Sequence, residues 1–503
     1  MREEILRMER VTYREQGATL LENFNMTIWS GEILGLVPAN HLGLSALVRL
    51  LRQNLPLHYG YVYYKEKLVN DWRFSNTGVS RSSFNRISVI QNKSCLAGGL
   101  TVADNIFVLR PGFRKRIMQP HILEEQLQPF LRDIGVEISA GAYVEELTIF
   151  ERFVAELLKA VVAGNHLVIL EDISTFISAA ELEKLSAILR HYAEGGMSFL
   201  YIAAHFEEAR QICSRTALML NGQIIKYFQA ADKAPDPFFL HCTKDFDRHV
   251  REQMELRPKP QGSRAVFTAR KLCSDHIKDL SFSAAPGECL VMQDLDNCMI
   301  QDMIPVLSGE VRPESGEILI NDMPLSGKAD RRMAIIQELP VHSMVFSNMS
   351  YLDNLCFTLD HRIKGVWGRN HIKKSLRQEY REILGEDVFD IPVDQLTEWQ
   401  KYDLIYTRIV LQNPEIVFCV QPFKSAEVPL RIHIMELLER FLNKGVPVVI
   451  MAVNLADSLA LADRLLQVGR GGQIKEYHRD EFPALPVNTP WLYLYQEKYR
   501  DEW

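Results

Sequence analysis

The sequence lacks any long apolar run. Nowhere in its 503 residues do the roughly 18 to 20 consecutive apolar residues of a membrane helix occur. The opening stretch MREEILRMERVTY is charged throughout and offers no apolar signal core. Paired cysteines are missing as well: eight are scattered along the chain, with no C-x-x-C pair and no His nearby at zinc spacing. Both a disulfide scaffold and a zinc module are thereby excluded. The expected state is reduced thiols in a cytoplasm, serving mainly as small buried apolar side chains. An excess of positive charge is also absent, the net charge being −7, which excludes a basic nucleic-acid-binding surface as the dominant feature. What is present, 47% hydrophobic and 24% charged residues, is the composition of a folded protein, and the length is too great for one core.

The chain repeats itself. Gly31-Glu32 recurs as Gly287-Glu288, and Gly60-Tyr61-Val62 as Gly316-Glu317-Ile318, both 256 residues on. The spacing then settles at 249: Asp104-Asn105-Ile106 matches Asp353-Asn354-Leu355, Leu147-Thr148 matches Leu396-Thr397, and Arg215 matches Arg464. Two copies of one domain are therefore joined head to tail. The boundaries predicted are 1–240 and 263–480, with a linker over 241–262 where prolines accumulate, and an aromatic-rich tail over 481–503. That tail reads either as a partner-docking surface or as aromatics packed on their own domain. Within the first copy the apolar run 167–170 predicts a buried strand. Ser178 with Glu181 predicts a capped helix whose buried face carries Leu182, Leu185, Ile188, Leu189 and Tyr192, and 199–204 predicts a second buried strand. A strand, helix and strand of this length imply a right-handed crossover in a mainly parallel sheet.

The stretch from Gly31 to Leu51, GEILGLVPANHLGLSALVRLL, has the frame of a phosphate-binding loop: a buried strand, a short turn, and leucines at helical spacing. In the pattern G-x-x-x-x-G-K-[ST], backbone N–H groups wrap the phosphates, the Lys reaches the β and γ phosphates, and the hydroxyl holds Mg²⁺. Here the first Gly is Pro38, the second survives as Gly43, the Lys is Leu44 and the hydroxyl survives as Ser45. The stretch resembles the nucleotide-binding subunits of ATP-binding cassette importers, in particular the double-length ATPases of the carbohydrate type. That resemblance implies an α/β fold of two tandem cassettes, each with a mainly parallel sheet, an antiparallel β subdomain and a helical subdomain.

The resemblance also assigns roles by position. Asn40, Gly43, Leu44 and Ser45 fall at the nucleotide loop, with Ser45 toward Mg²⁺. Gln91, or Asn92 with a one-residue gap, falls at the glutamine that links Mg²⁺ to the membrane partner, and Gln337 follows the corresponding strand of the second copy. Tyr13 falls at the aromatic that stacks on adenine, or is a plain surface tyrosine. Glu171-Asp172 stands at the acidic pair that serves the metal and the attacking water, with the acids in inverted order; a pair of solvated acids at a strand end is the even alternative. His205 falls at the switch histidine. In the second copy the acidic pair has become Val420-Gln421 and the histidine Asn454. The signature positions, which in the family approach the γ-phosphate, read Leu147-Thr148-Ile149-Phe150-Glu151 and Leu396-Thr397-Glu398-Trp399-Gln400, with bulky Phe150 and Trp399 where glycine permits close approach. In the second loop Met299, Ile300 and Gln301 replace the Gly, Lys and Ser, and Asp294, Asp296 and Asp302 are expected to surround and repel any phosphate.

Three functions follow as expectations. The first is a cassette protein that no longer hydrolyses ATP efficiently and acts structurally or in regulation on membrane permease subunits, with a sugar-binding protein as a further partner, at the inner face of the cell membrane. The second is a slow ATPase that energises carbohydrate import. The third is a soluble interaction scaffold. ATP and Mg²⁺ are expected weakly at the first site and not at the second, the two halves forming an internal pseudo-dimer.

Overall fold

The computed structural model describes residues 3–15, 17–40, 42–53, 55–69, 87–91, 94–108, 120–229, 248, 264–325, 327, 330–362, 366–424, 426, 428–455, 457–469 and 472–485. The chain divides into two compact units whose main bodies are Met1–Lys244 and Asp245–Pro486. The expected linker, apart from Arg248, and the aromatic residues beyond 485 lie outside the described residues, as does Asn92. Packing continues past residue 480, since Phe482 and Leu485 are buried.

In the first unit, β1 (Glu4–Glu15), β2 (Ala18–Trp29), β4 (Tyr59–Tyr64) and β5 (Lys67–Leu68) form an antiparallel sheet in the order β2-β1-β4-β5. A second sheet, ordered β10-β9-β3-β8-β7-β6, contains β3 (Ile33–Pro38), β6 (Ile87–Ile90), β7 (Leu167–Glu171), β8 (Ser198–Ile202), β9 (Arg215–Leu220) and β10 (Gln223–Gln229). Its pairings are parallel except at β10. Both faces are covered, and β3 and β8 are buried along their whole length, as continuous apolar runs in a parallel sheet require. The crossover from β7 to β8 runs through the helix Ala179–Glu194. Ser178 caps it by accepting the Glu181 N–H at 3.3 Å while the Ser178 N–H donates to Glu181 Oε2 at 2.8 Å.

The second unit repeats the topology strand for strand. Its antiparallel sheet is β12-β11-β14-β15, built from β11 (Phe267–Cys273), β12 (Leu280–Ala284), β14 (Ser315–Ile320) and β15 (Met323–Pro324). Its larger sheet is β16-β17-β18-β13-β19-β20, built from β13 (Cys289–Asp294), β16 (Met333–Ile336), β17 (Ile416–Val420), β18 (Val448–Ala452), β19 (Arg464–Gly469) and β20 (Gln473–His478). Each unit adds helices to one side, Val102–Phe107, Pro120–Asp133 and Ile149–Val162 in the first, Tyr351–Cys356, Val366–Leu384 and Glu398–Gln412 in the second. The fold class is thus two tandem α/β units, each with a mainly parallel sheet, an antiparallel sheet and a helical part.

The repeated residues make repeated contacts. Buried Glu32 accepts from Arg215 Nε at 2.9 Å, and Glu288 accepts from Arg464 Nε at 2.8 Å, tying the residue before β3 or β13 to the start of the neighbouring strand. Asn105 donates to the carbonyls of Ala97 and Thr101 and accepts the Ala97 N–H; Asn354 does the same with Phe346 and Ser350. Lys159 Nζ donates to the Cys95 carbonyl at 3.2 Å, and Arg408 Nη2 reaches the Met344 carbonyl, both pairs 249 residues apart. Of the described cysteines all are free, and Cys213, Cys289, Cys356 and Cys419 are buried. No described helix is long and apolar enough to cross a membrane.

Candidate nucleotide-loop sites

Strand order decides what meets at one sheet edge. With β3 next to β8 and β8 next to β7, the ends of three parallel strands bring together the loop after β3, Glu171-Asp172 after β7 and His205 after β8. Ligands in α/β sheets bind at this carboxyl edge.

In the first loop, Pro38 ends β3 in register with Met219, and the Ala39 N–H continues the ladder by donating to the Met219 carbonyl at 2.8 Å. Asn40 is tied to the turn after β9: its Nδ2 donates to Asn221 Oδ1 at 2.7 Å and its Oδ1 accepts the Asn221 N–H at 3.1 Å. Gly43 sits at φ +82°, and a Cβ there would lie 2.1 Å from the Leu20 carbonyl oxygen, so the approach that only glycine permits is made by the protein's own β2 backbone. Leu44, in the Lys position, opens the helix Leu44–Gln53 with only 5% exposure and packs in the core between the two sheets. Ser45 is exposed, and Gln91 is half-buried at the end of β6. Tyr13 is buried opposite Leu21 in that same core, rather than standing on the surface.

Behind the loop lies a buried polar cluster. Glu208 accepts from Ser174 Oγ at 2.6 Å and from the Tyr201 hydroxyl at 2.5 Å, with His205 and Asp172 close enough to act on its charge. Burial pushes the Glu208 carboxyl up, against the pull of the two hydroxyls and His205. Glu171 is raised by burial first and by neighbouring Asp172 second. Asp172 adopts the left-handed conformation at φ 57°, and its second-unit counterpart Gln421 does likewise at φ 46°. Sequence reasoning missed Ser174, Tyr201 and Glu208; the spacing of Glu208 three residues after His205 was the available signal.

The signature positions are helix starts. Thr148 accepts the Glu151 N–H at 3.2 Å and Thr397 accepts the Gln400 N–H at 3.3 Å, each completing a capping box, while Leu147 and Leu396 are buried. Phe150 turns into its own core. Trp399 is 39% exposed and stacks on His433 with ring centroids 4.6 Å apart.

The second loop differs from the expectation of three repelling acids. Asp302 is bound to His276, accepting its backbone N–H at 2.7 Å, while Asp294 and Asp296 line one cleft. Asp294, the counterpart of Pro38, is 1% exposed, and its Oδ2 accepts the Ile300 N–H at 3.0 Å. The backbone N–H groups of Cys298, Asp296 and Met299 also act on it, opposing the larger upward push from burial. Ile300, in the Lys position, is 6% exposed and joins the core with Met299. At the sheet edge beyond, Gln421 Nε2 donates to Glu338 Oε2 at 3.3 Å, and Glu338 pairs with buried Lys424. Gln337 is exposed. Among the described residues no cluster of His, Cys, Asp and Glu is arranged to hold a metal by protein ligands alone.

With these two loops, each between a buried strand and a helix at the edge of a mainly parallel sheet, the fold is of the tandem ATP-binding cassette class. Within that class the chain is similar to double-length import subunits. The ribose import ATP-binding protein RbsA of Clostridium perfringens strain 13 is 22% identical over 497 residues, covering 95% of this chain and 96% of that protein. RbsA 1 of Rhizobium johnstonii is 24% identical over 499 residues, 94% of each, and the arabinose import ATP-binding protein AraG of Azospirillum brasilense is 21% identical over 501 residues, 97% of this chain and 94% of its own. A solved structure of an RNase-L inhibitor matches with a TM-score of 0.58 at 13% identity, covering 96% of this chain and 95% of that one, a likeness of fold. No family model matches.

Proposed function

We propose that this protein is the cassette subunit of a sugar-type importer or a related membrane complex that has given up efficient hydrolysis and serves a structural or regulatory role. It would sit at the cytoplasmic face of the membrane against permease subunits, with a sugar-binding protein in the same assembly. The observation that carries the reading is the fate of the lysine positions: Leu44 and Ile300 are both buried in core between sheets. Phosphoryl transfer depends on positioned charge, and neither loop has a cation at that place. The first loop keeps the residues that would hold Mg-ATP: helix amides ahead of Leu47, Ser45 for the metal, Gln91 beyond it and Glu171-Asp172 opposite. Bound there, ATP would supply a phosphoanhydride whose cleavage these residues support poorly. The second loop, with Asp294 among its amides, takes no nucleotide phosphate.

One observation favours a second reading, a slow ATPase that energises import. Glu171, Asp172 and His205 still converge at one sheet edge, and a raised Glu171 is the kind of acid that proton transfer uses. Phosphate release by the purified protein separates the two. Background release is expected; a turnover of about 1 per second that vanishes in a Glu171→Gln/Asp172→Asn variant would establish the enzyme instead. Co-purification of the untagged permease subunits with the tagged protein tests the membrane role, and failure to recover them would leave a soluble scaffold.

A further inference from the structure

We infer that the second phosphate loop is an anion site already filled by the protein's own Asp294 side chain, which holds the loop in its binding shape with no ligand. The counterpart relation is geometric. Asp294 ends β13 in register with Val468, and the following Leu295 N–H donates to the Val468 carbonyl at 3.0 Å, as Ala39 does to Met219 in the first unit. From that point Asp294 turns a carboxyl oxygen onto the start of the helix Met299–Leu307. There it accepts the Ile300 N–H at 3.0 Å, with the N–H groups of Cys298, Asp296 and Met299 also directed at it. In a working loop such amides wrap phosphate oxygens. A buried carboxyl with 1% exposure that gathers them satisfies donors which would otherwise be orphaned at a buried helix start.

Asp294 lines a small cleft together with His276, Asp296, Cys298, Met299 and Gly472. Met299 and Ile300 anchor the helix start in the core, and Gly472, at φ +82°, lies so near the Lys278 carbonyl that a Cβ would come within 2.5 Å of it. The inference rests on aligning residues 294–303 with the first loop and is independent of whether the protein hydrolyses ATP.

The test is anion rescue in the full-length protein, read without any activity measurement. In Asp294→Ala the loop amides lose their acceptor, so the melting temperature should fall. About 10 mM pyrophosphate should then restore roughly 3 °C or more, with slowed amide exchange over residues 298–303, whereas chloride at equal ionic strength should not. The wild type should show no pyrophosphate effect on those amides. Asp294→Asn, which keeps the shape and an acceptor oxygen, provides the second arm if the alanine variant does not fold. Its amides at Met299 and Ile300 should exchange about tenfold faster than in the wild type, again without rescue because the site stays filled. Unchanged stability in Asp294→Ala, equal rescue by chloride, unchanged exchange in Asp294→Asn, or pyrophosphate protection of this loop in the wild type would each overturn the inference.

Discussion

At the residue scale, a missing lysine proves to be a gained core residue. Leu44 was legible in sequence as a lost charge, yet not as a side chain packed among Leu21, Leu36 and Leu47, because burial depends on the antiparallel sheet laid over the helix. Leu44→Lys should therefore not restore a cassette. It removes a buried leucine and places an ammonium in apolar surroundings, for a loss of about 3 kcal/mol or a fall of roughly 6–12 °C in the first unit's melting temperature, with no gain in phosphate release. Differential scanning calorimetry beside a phosphate assay checks both parts, and a variant as stable as wild type that hydrolysed ATP would show that the helix start can turn its side chain toward the loop. Glu171 gives the opposite sign. Its carboxyl is raised by burial and by Asp172, so the stability its neutral form contributes is present at low pH and lost as pH rises through the raised value. Glu171→Gln should melt roughly 2 °C above wild type at neutral pH and level with it near pH 4; a lower melting temperature at neutral pH would mean the ionised acid has a partner in the fold.

At the scale of elements, the repeat was readable because several of its matched polar residues make the same contact in both halves. Glu32 and Glu288 each need their arginine, and Asn105 and Asn354 each need both ends of an amide to hold a carbonyl and an N–H of the segment leading into the helical part. The capping box at Ser178 was legible from its pairing with Glu181. Asp294 was legible as a charge at the second loop, but not as the acceptor of the backbone N–H groups around it, which only the folded loop brings together. Likewise, the link between Gln91's segment and the signature helix, made by Glu156 accepting from Ser94 Oγ at 2.5 Å and the Cys95 N–H at 2.7 Å, depends on a chain reversal that sequence spacing does not show. Arg464→Ala should lower the second unit's stability by about 3–5 kcal/mol, since it leaves Glu288 buried without its cation. A companion Glu288→Gln/Arg464→Met variant should recover part of that loss in urea unfolding, and no recovery would place the effect in the other Arg464 bonds, to Glu476 and the Ser283 carbonyl.

For the whole molecule, the two halves should differ in nucleotide response although they share one topology. Ser45 and Gln301 occupy the same exposed place one residue past the buried lysine position, so a tyrosine at either is tolerated by the core and obstructs only what approaches the loop. In the first half the helix amides before Leu47 face the loop, and the acids of β7 lie two strands away from β3 across β8. Losing the lysine should leave an affinity of about millimolar, because a charge-assisted phosphate contact is worth a few kcal/mol. At about 5 mM Mg-ATP this gives roughly 1 kcal/mol of stabilisation, a rise of about 2–4 °C for a unit of this size. In the second half the corresponding amides are held by Asp294, and no rise is expected. The titration should therefore lose its shift in Ser45→Tyr and keep it in Gln301→Tyr. Loss only in Gln301→Tyr would reverse the assignment of the better site. A micromolar midpoint in the wild type would mean that a cation other than the missing lysine reaches the phosphates, and a search for it would begin with basic residues placed near Asn40 and Gly43.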